Sequence, residues 1–119
     1  MTQSLYERLG GSEGITRIAN DVIDNHLVNR TIAPRFADHD ADKLKHAATT
    51  FFITGTGGPE LYQGKDMVSA HKGMNISPTE FMAVLDDALD ALQKNDIGQR
   101  EQEEVLYVLY SMRSQIVHG

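Results

Sequence analysis

Ser77-Pro78-Thr79-Glu80-Phe81-Met82-Ala83-Val84-Leu85-Asp86-Asp87-Ala88-Leu89-Asp90-Ala91-Leu92 is the stretch on which the fold class turns. Ser77 suits an N-cap, Pro78 the first helical position, and Glu80 the third, from which its carboxylate closes a capping box. Phe81, Val84, Leu85, Ala88, Leu89 and Leu92 then recur at steps of three and four, the period of a helix that buries one face. Asp86, Asp87 and Asp90 lie between them and read as a solvated face.

The same period governs the flanking segments. On the N-terminal side, Lys65 to Asn75 places Met67, Ala70, His71 and Met74 on one helical face, with Gly73 weakening the segment. Gly55-Thr56-Gly57-Gly58-Pro59 breaks the chain before it, and Tyr62 and Gly64 continue a loop. From about Ala41 to Ile53, the face formed by Leu44, Ala47, Ala48, Phe51 and Phe52 makes a shallow slot with a bulky end. Pro34 sets a corner, and Phe36 follows it. A helix opens after Gly10-Gly11 with Ser12 as N-cap and Glu13 at its positive end; its stripe is Ile15, Ile18, Ala19, Val22, Ile23 and Leu27. A last helix, from about Gln99 to Val117, buries Val105, Val108, Leu109, Met112 and Ile116. No segment alternates with period two. The expectation is an all-α chain of four main helices and one or two short ones, forming one domain over 1–119.

With 119 residues there is one core, and any enclosed group must form part of it. Seventeen acidic residues against eleven basic ones, a net charge of −6, argue against nucleic acid and anionic membranes as partners. The absence of cysteine excludes disulfides, thiolate metal sites, iron–sulfur clusters and haem attachment through C-x-x-C-H, and it fits a cytoplasmic location. Met1 to Glu7 shows no basic start before an apolar run, so no signal peptide is expected. No stretch approaches the roughly 20 apolar residues of a membrane-spanning helix.

The five histidines, His26, His39, His46, His71 and His118, show no H-x-x-x-H spacing, and there is no phosphate loop or nucleophile elbow. His71 stands out because it shares its face with Met67, Ala70 and Met74. An imidazole among apolar groups needs a partner. It is either a core histidine bonded to a nearby carbonyl or a metal ligand. Haem iron needs one protein ligand and a dry apolar slot, which this face supplies. Periodicity alone does not choose between the two.

Several motifs bear on that choice. Leu5-Tyr6-Glu7-Arg8-Leu9-Gly10-Gly11 resembles the opening of the truncated haemoglobins, group I in particular. Phe36-Ala37-Asp38 resembles their aromatic corner. Gly57-Gly58-Pro59-x-x-Tyr62-x-Gly64-x-x-Met67, followed by Ala70-His71-Lys72-Gly73-Met74-Asn75, resembles their glycine-rich link and proximal-histidine segment. The pieces occur in the family's order over nearly the whole chain, most weakly in the last 20 residues.

The resemblance implies a truncated globin-like two-over-two helical sandwich around a non-covalent haem b (iron protoporphyrin IX), with His71 as the iron ligand. Phe36 would pack on the porphyrin face, and Phe51, Met67, Met74, Phe81 and Val84 would line the pocket. Gly10-Gly11 and Gly57-Gly58 would supply sharp bends at positive φ. One departure is informative. The tyrosine usual in the family thirteen residues before the aromatic corner is Ile23 here, and the common glutamine positions are Leu44 and Ala48. The side of the haem facing away from His71 is then apolar. Losing one net hydrogen bond of roughly 1–1.5 kcal/mol weakens oxygen binding about fivefold to tenfold. His46 lies about 200° around the helix from Leu44 and reads as a surface residue. Thr49 borders the apolar face, and His26 sits beside Leu27; neither is taken as a ligand. His118 does not align with the histidine some members attach to haem, and it reads as a frayed end.

The expected function is reversible binding of oxygen, and of carbon monoxide or nitric oxide, by a monomer. One alternative is nitric oxide dioxygenation to nitrate with a separate reductase. Another is a gas sensor or a haem-free helical interaction module.

Overall fold

The computed structural model describes residues 3–64 and 67–118. Its helices, in chain order, are α1 (Leu5–Arg8), α2 (Gly11–Val28), α3 (Ala41–Gly55), α4 (Met67–His71), α5 (Pro78–Lys94), α6 (Gln99–Tyr110) and α7 (Arg113–Ile116), with a 3₁₀ turn at Ala33–Phe36. The four main helices are the expected ones, but there are more short ones than expected. Among the described residues the β content is a single parallel bridge, Ile76 to Val117. No described helix is long and apolar enough to cross a membrane.

Helix α2 packs on α3, α5 packs on α6, and α2 also packs on α5, joining the pairs into a two-over-two sandwich. The core lies where these helices meet. Ile15, Ile18 and Val22 of α2 cluster with Ala88, Ala91 and Leu92 of α5, Ile53 of α3 and Val105 of α6. α5 starts as its sequence dictates. The Ser77 hydroxyl accepts from the Glu80 backbone N–H, and the Glu80 carboxylate accepts from the Ser77 N–H, both at 3.1 Å.

Several boundaries differ from expectation. The opening motif is itself a helical turn, closed by a Ser4–Glu7 capping box. α2 therefore starts from Gly10, at φ 97°, rather than from Ser12. The Ser12 hydroxyl lies 2.7 Å from that of Tyr6. The C-terminal helix is not continuous. It ends at Tyr110, where the Ser111 hydroxyl donates back to the Val108 carbonyl at 2.6 Å. α7 then packs against α4, and the His118 backbone N–H donates to Ile76 at 2.9 Å, so His118 is not a frayed end. Lys65, the expected start of the segment that contains His71, lies outside the described residues; its helical part is Met67–His71. Val84, Leu89 and Leu27 are half-buried rather than buried, as are Val108, Leu109, Met112 and Ile116 of the last segment, where Val105 alone is buried.

The Gly57-Gly58 link has two different causes. Gly57 has φ 97°, as a left-handed bend requires. Gly58 has no positive φ; it is glycine because a Cβ there would lie 2.5 Å from the Tyr6 ring and 2.9 Å from the Ile53 carbonyl. Gly58→Ala should therefore lower stability by about 1–3 kcal/mol through overpacking. Gly55→Ala, with nothing within 4 Å of its Cβ, should stay within about 0.5 kcal/mol of the wild type. Urea unfolding of both variants checks the contrast.

Candidate functional site

The core fills only part of the space between the helices. Beside it lies a cavity of about 360 Å³, within the ~300–1,000 Å³ range of small-molecule sites. Val22 and Ile23 of α2 form one wall, and Leu44, Ala47, Ala48 and Phe51 of α3 form another. Met67 and His71 of α4, with Met74 just beyond it, face Phe81 and Val84 of α5, and Phe36 closes a corner. All ten residues singled out from the sequence thus line one space. It also fits Ile53 being the only buried residue of α3: Ala47, Ala48 and Phe51 of its apolar face border the cavity, while Phe52 packs partly against the core.

His71 sits on the last turn of α4, and its Nδ1 lies 2.9 Å from the Met67 carbonyl oxygen. A carbonyl only accepts, so Nδ1 carries the proton and the lone pair is on Nε2. The two readings of His71 left open by the sequence are therefore compatible. The carbonyl bond is what orients the ring and fixes the tautomer of a ligating imidazole.

The cavity wall also holds polar groups that periodicity did not single out. His26 is only 6% exposed and lines the cavity from α2. Its Nδ1 lies 2.7 Å from Oδ2 of Asp87, which is also 6% exposed. Asp87 Oδ1 accepts from Asn29 Nδ2 at 3.1 Å, and the Asp87 carbonyl accepts from Asn25 Nδ2 at 3.0 Å. The His26 ring stacks on Phe36, with centroids 5.6 Å apart and planes 12° apart. Asp87 is therefore not on a solvated face with Asp86 and Asp90, which are exposed. A signal was present in the sequence. It concerned His26 only: His26 follows Val22 by four residues and falls on the apolar stripe of α2, whereas Asp87 lies off the stripe of α5 and only the structure shows it buried.

Burial pushes His26 below its ordinary value of 6.5, outweighing the opposite pull of Asp87. The ring is neutral near pH 7, and its Nδ1 donates to the carboxylate. Nε2 has no hydrogen-bond partner among the described residues. No side-chain nitrogen or oxygen described there is both fully enclosed and unpartnered. Nε2 therefore keeps accessible surface, and the His26 side chain belongs to the cavity lining.

A second polar pair lies on the wall. Arg35 Nη2 donates to Glu80 Oε1 at 2.9 Å, and Arg35 Nε donates to Glu80 Oε2. Arg35 and the Ser77 backbone hold the Glu80 carboxyl down to about 2. Tyr62 meets Phe51 edge-on at 5.4 Å. His46 is exposed, as its helical angle predicts, and His39 is exposed as well. The Thr49 hydroxyl donates to the Lys45 carbonyl at 2.8 Å. His118 Nδ1 pairs with Asn75 Oδ1 at 2.9 Å.

The geometry agrees with comparisons to known proteins. The model of the bacterial-like globin family matches residues 4–118. The chain therefore belongs to the bacterial-like globin family. It is 27% identical over 115 residues to the group 1 truncated hemoglobin of Tetrahymena pyriformis, covering 97% of this chain and 95% of that protein. It is 23% identical to the group 1 truncated hemoglobin GlbN of a Nostoc strain, covering 97% and 98%. The crystal structure of the Tetrahymena protein in its Fe(III) form superposes with a TM-score of 0.94 at 26% identity, over 98% of this chain and all of that one. A 2/2 hemoglobin from Synechococcus with covalently attached heme shares the fold, with a TM-score of 0.86 at 23% identity over 95% of each chain. The group I resemblance read from the motifs is borne out.

The His26 shift has a consequence for stability. Its folded value lies below its unfolded one, so below about pH 6.5 the unfolded chain takes up a proton that the folded chain refuses. Stability should fall as the pH drops below 6.5, with this group contributing at most ~1.4 kcal/mol per pH unit. Glu80 acts in a separate window, its stabilisation being lost from about 4.5 down toward 2. Urea midpoints at pH 8 and pH 5 should differ less in His26→Leu/Asp87→Asn than in the wild type.

Proposed function

We propose that this chain holds a non-covalent haem b in the cavity, with His71 Nε2 as the iron ligand, and binds diatomic gases reversibly, oxygen foremost. The observation that carries this reading is the His71–Met67 hydrogen bond, which leaves the Nε2 lone pair available on a largely apolar wall. Phe36 and Phe51 offer flat surfaces to a porphyrin, and Met67, Met74, Phe81 and Val84 adapt to its edges. Haem would supply a ferrous iron with an open coordination position, where such gases bind. The lack of cysteine favours non-covalent attachment, and His118 is engaged with Asn75.

Ile23, Leu44 and Ala48 all line the cavity and carry no hydrogen-bond donor. Neutral His26 offers a lone pair there and not an N–H. Oxygen should therefore leave quickly, and carbon monoxide should be relatively favoured.

Two measurements test this reading. His71→Ala should lose the five-coordinate ferrous spectrum and more than ~100-fold in haem affinity, beyond what loss of an outer-shell partner costs. In His71→Gly, added imidazole should restore the spectrum, separating lost ligation from lost folding. Ile23→Tyr should slow oxygen dissociation, read by stopped-flow, about fivefold to tenfold by adding one hydrogen bond. An unchanged rate would mean that a donor already acts in the wild type.

A further inference from the structure

The His26–Asp87 pair ties α2 to α5, but that tie does not require a titratable side chain on the cavity wall. A buried ionic or polar pair is commonly no more stabilising than apolar side chains of the same volume. A buried titratable pair with one member on a cavity wall is accordingly a mark of use. The geometry here is restrictive. An ionised carboxylate only accepts, so the 2.7 Å contact requires the proton on His26 Nδ1 and leaves the lone pair on Nε2. Asp87 is itself held by Asn29, its backbone by Asn25, and the imidazole face by Phe36. The ring is fixed at one edge and one face, and Nε2 is left without a partner among the described residues on a side chain that lines the cavity. The other charged groups on the wall, Arg35 and Glu80, are committed to each other.

A lone pair has nothing to accept from oxygen, carbon monoxide or nitric oxide, which carry no hydrogen. It does attract a small ligand H–X. We propose that His26 is a general base built into the cavity, positioned by Asp87, and that it serves weak-acid ligands of the hydrogen cyanide, hydrogen sulfide and hydrogen peroxide kind. This rests on the haem reading and extends it to the ferric state. The H–X bond breaks, its electron pair stays on X, and the proton passes to Nε2. Asp87 balances the charge of the resulting imidazolium, and X⁻ is the form ferric haem takes up. No oxidant or reductant enters. The imidazolium later returns its proton to water.

The test uses the haem-loaded protein, with cyanide as the weak acid and carbon monoxide as the hydrogen-free reference. His26→Leu alone strands a buried carboxylate, so His26→Leu/Asp87→Asn is measured beside it. In both, ferric cyanide association should fall at least ~100-fold more than ferrous carbon monoxide association, the low end of what a positioned base contributes. Equal changes for the two ligands would make His26 a steric wall and overturn the proposal. Nitrogen-15 spectra of the carbon monoxide complex should show His26 protonated at Nδ1 only. Asp87→Leu should replace that form with a mixture of tautomers. An Nε2-protonated wild type, or an unchanged tautomer in Asp87→Leu, would overturn the assigned roles. A low-spin bis-histidine ferric spectrum that disappears in the His26 variants would place Nε2 on the iron and also overturn the base. Failure of the haem reading looks different: the wild-type chain takes up no haem, His71→Ala changes nothing, and the base falls with it.

Discussion

Helices α2 and α5 meet through small residues, and the other elements are arranged around that contact. Ala88 and Ala91 let the backbone of α5 approach the branched side chains Ile15, Ile18 and Val22. Leu92 and Ile15 fill what remains and are the largest fully buried side chains. Polar ties lie at both ends. Asn95 donates to Asp21 at 2.8 Å at one, and Asn25, His26 and Asn29 gather on Asp87 at the other. The contacts step from 21 with 95 to 25 with 87, so the helices run in opposite senses. Apolar burial supplies the attraction, and the oriented hydrogen bonds set the register.

The cavity follows from where that contact stops. Beyond Val22, α2 turns Ile23 and His26 away from the core, and α3 faces them with Ala47 and Ala48, which are too small to fill the gap. α4 closes the other side with one turn of helix, followed two residues later by Gly73 at φ 80°. A chain of this length spends much of its apolar surface on a space it does not fill itself. A bound group would complete its packing, and its binding would then stabilise the fold.

Glu80 shows how one residue can be legible in one role and hidden in another. Its place three residues after Ser77 predicts the capping box, which forms. The same carboxylate takes both nitrogen contacts from Arg35, 45 residues earlier in the chain, and pins the 3₁₀ turn against α5 at the cavity wall. Local spacing contains the first interaction because both partners lie within one helical turn. The second joins residues that only the sandwich brings together.

The sequence by itself determined the helical class, the four main helices, the capped start of α5 and the face that carries His71, because period and capping are local properties of adjacent turns. Its ordered motifs determined the family. It also pointed to the apolar positions of the cavity, since a stripe is apolar whether it meets a helix or a void. Tertiary structure alone decided that Gly58 yields to Tyr6, that the C-terminal helix breaks and returns to Ile76, and that His26 and Asp87 are buried together. A polar residue is too costly to bury alone and reads as solvated. Two of them, brought from residues 61 positions apart into one hydrogen bond, offset each other's desolvation, and that pairing exists only once α2 lies across α5.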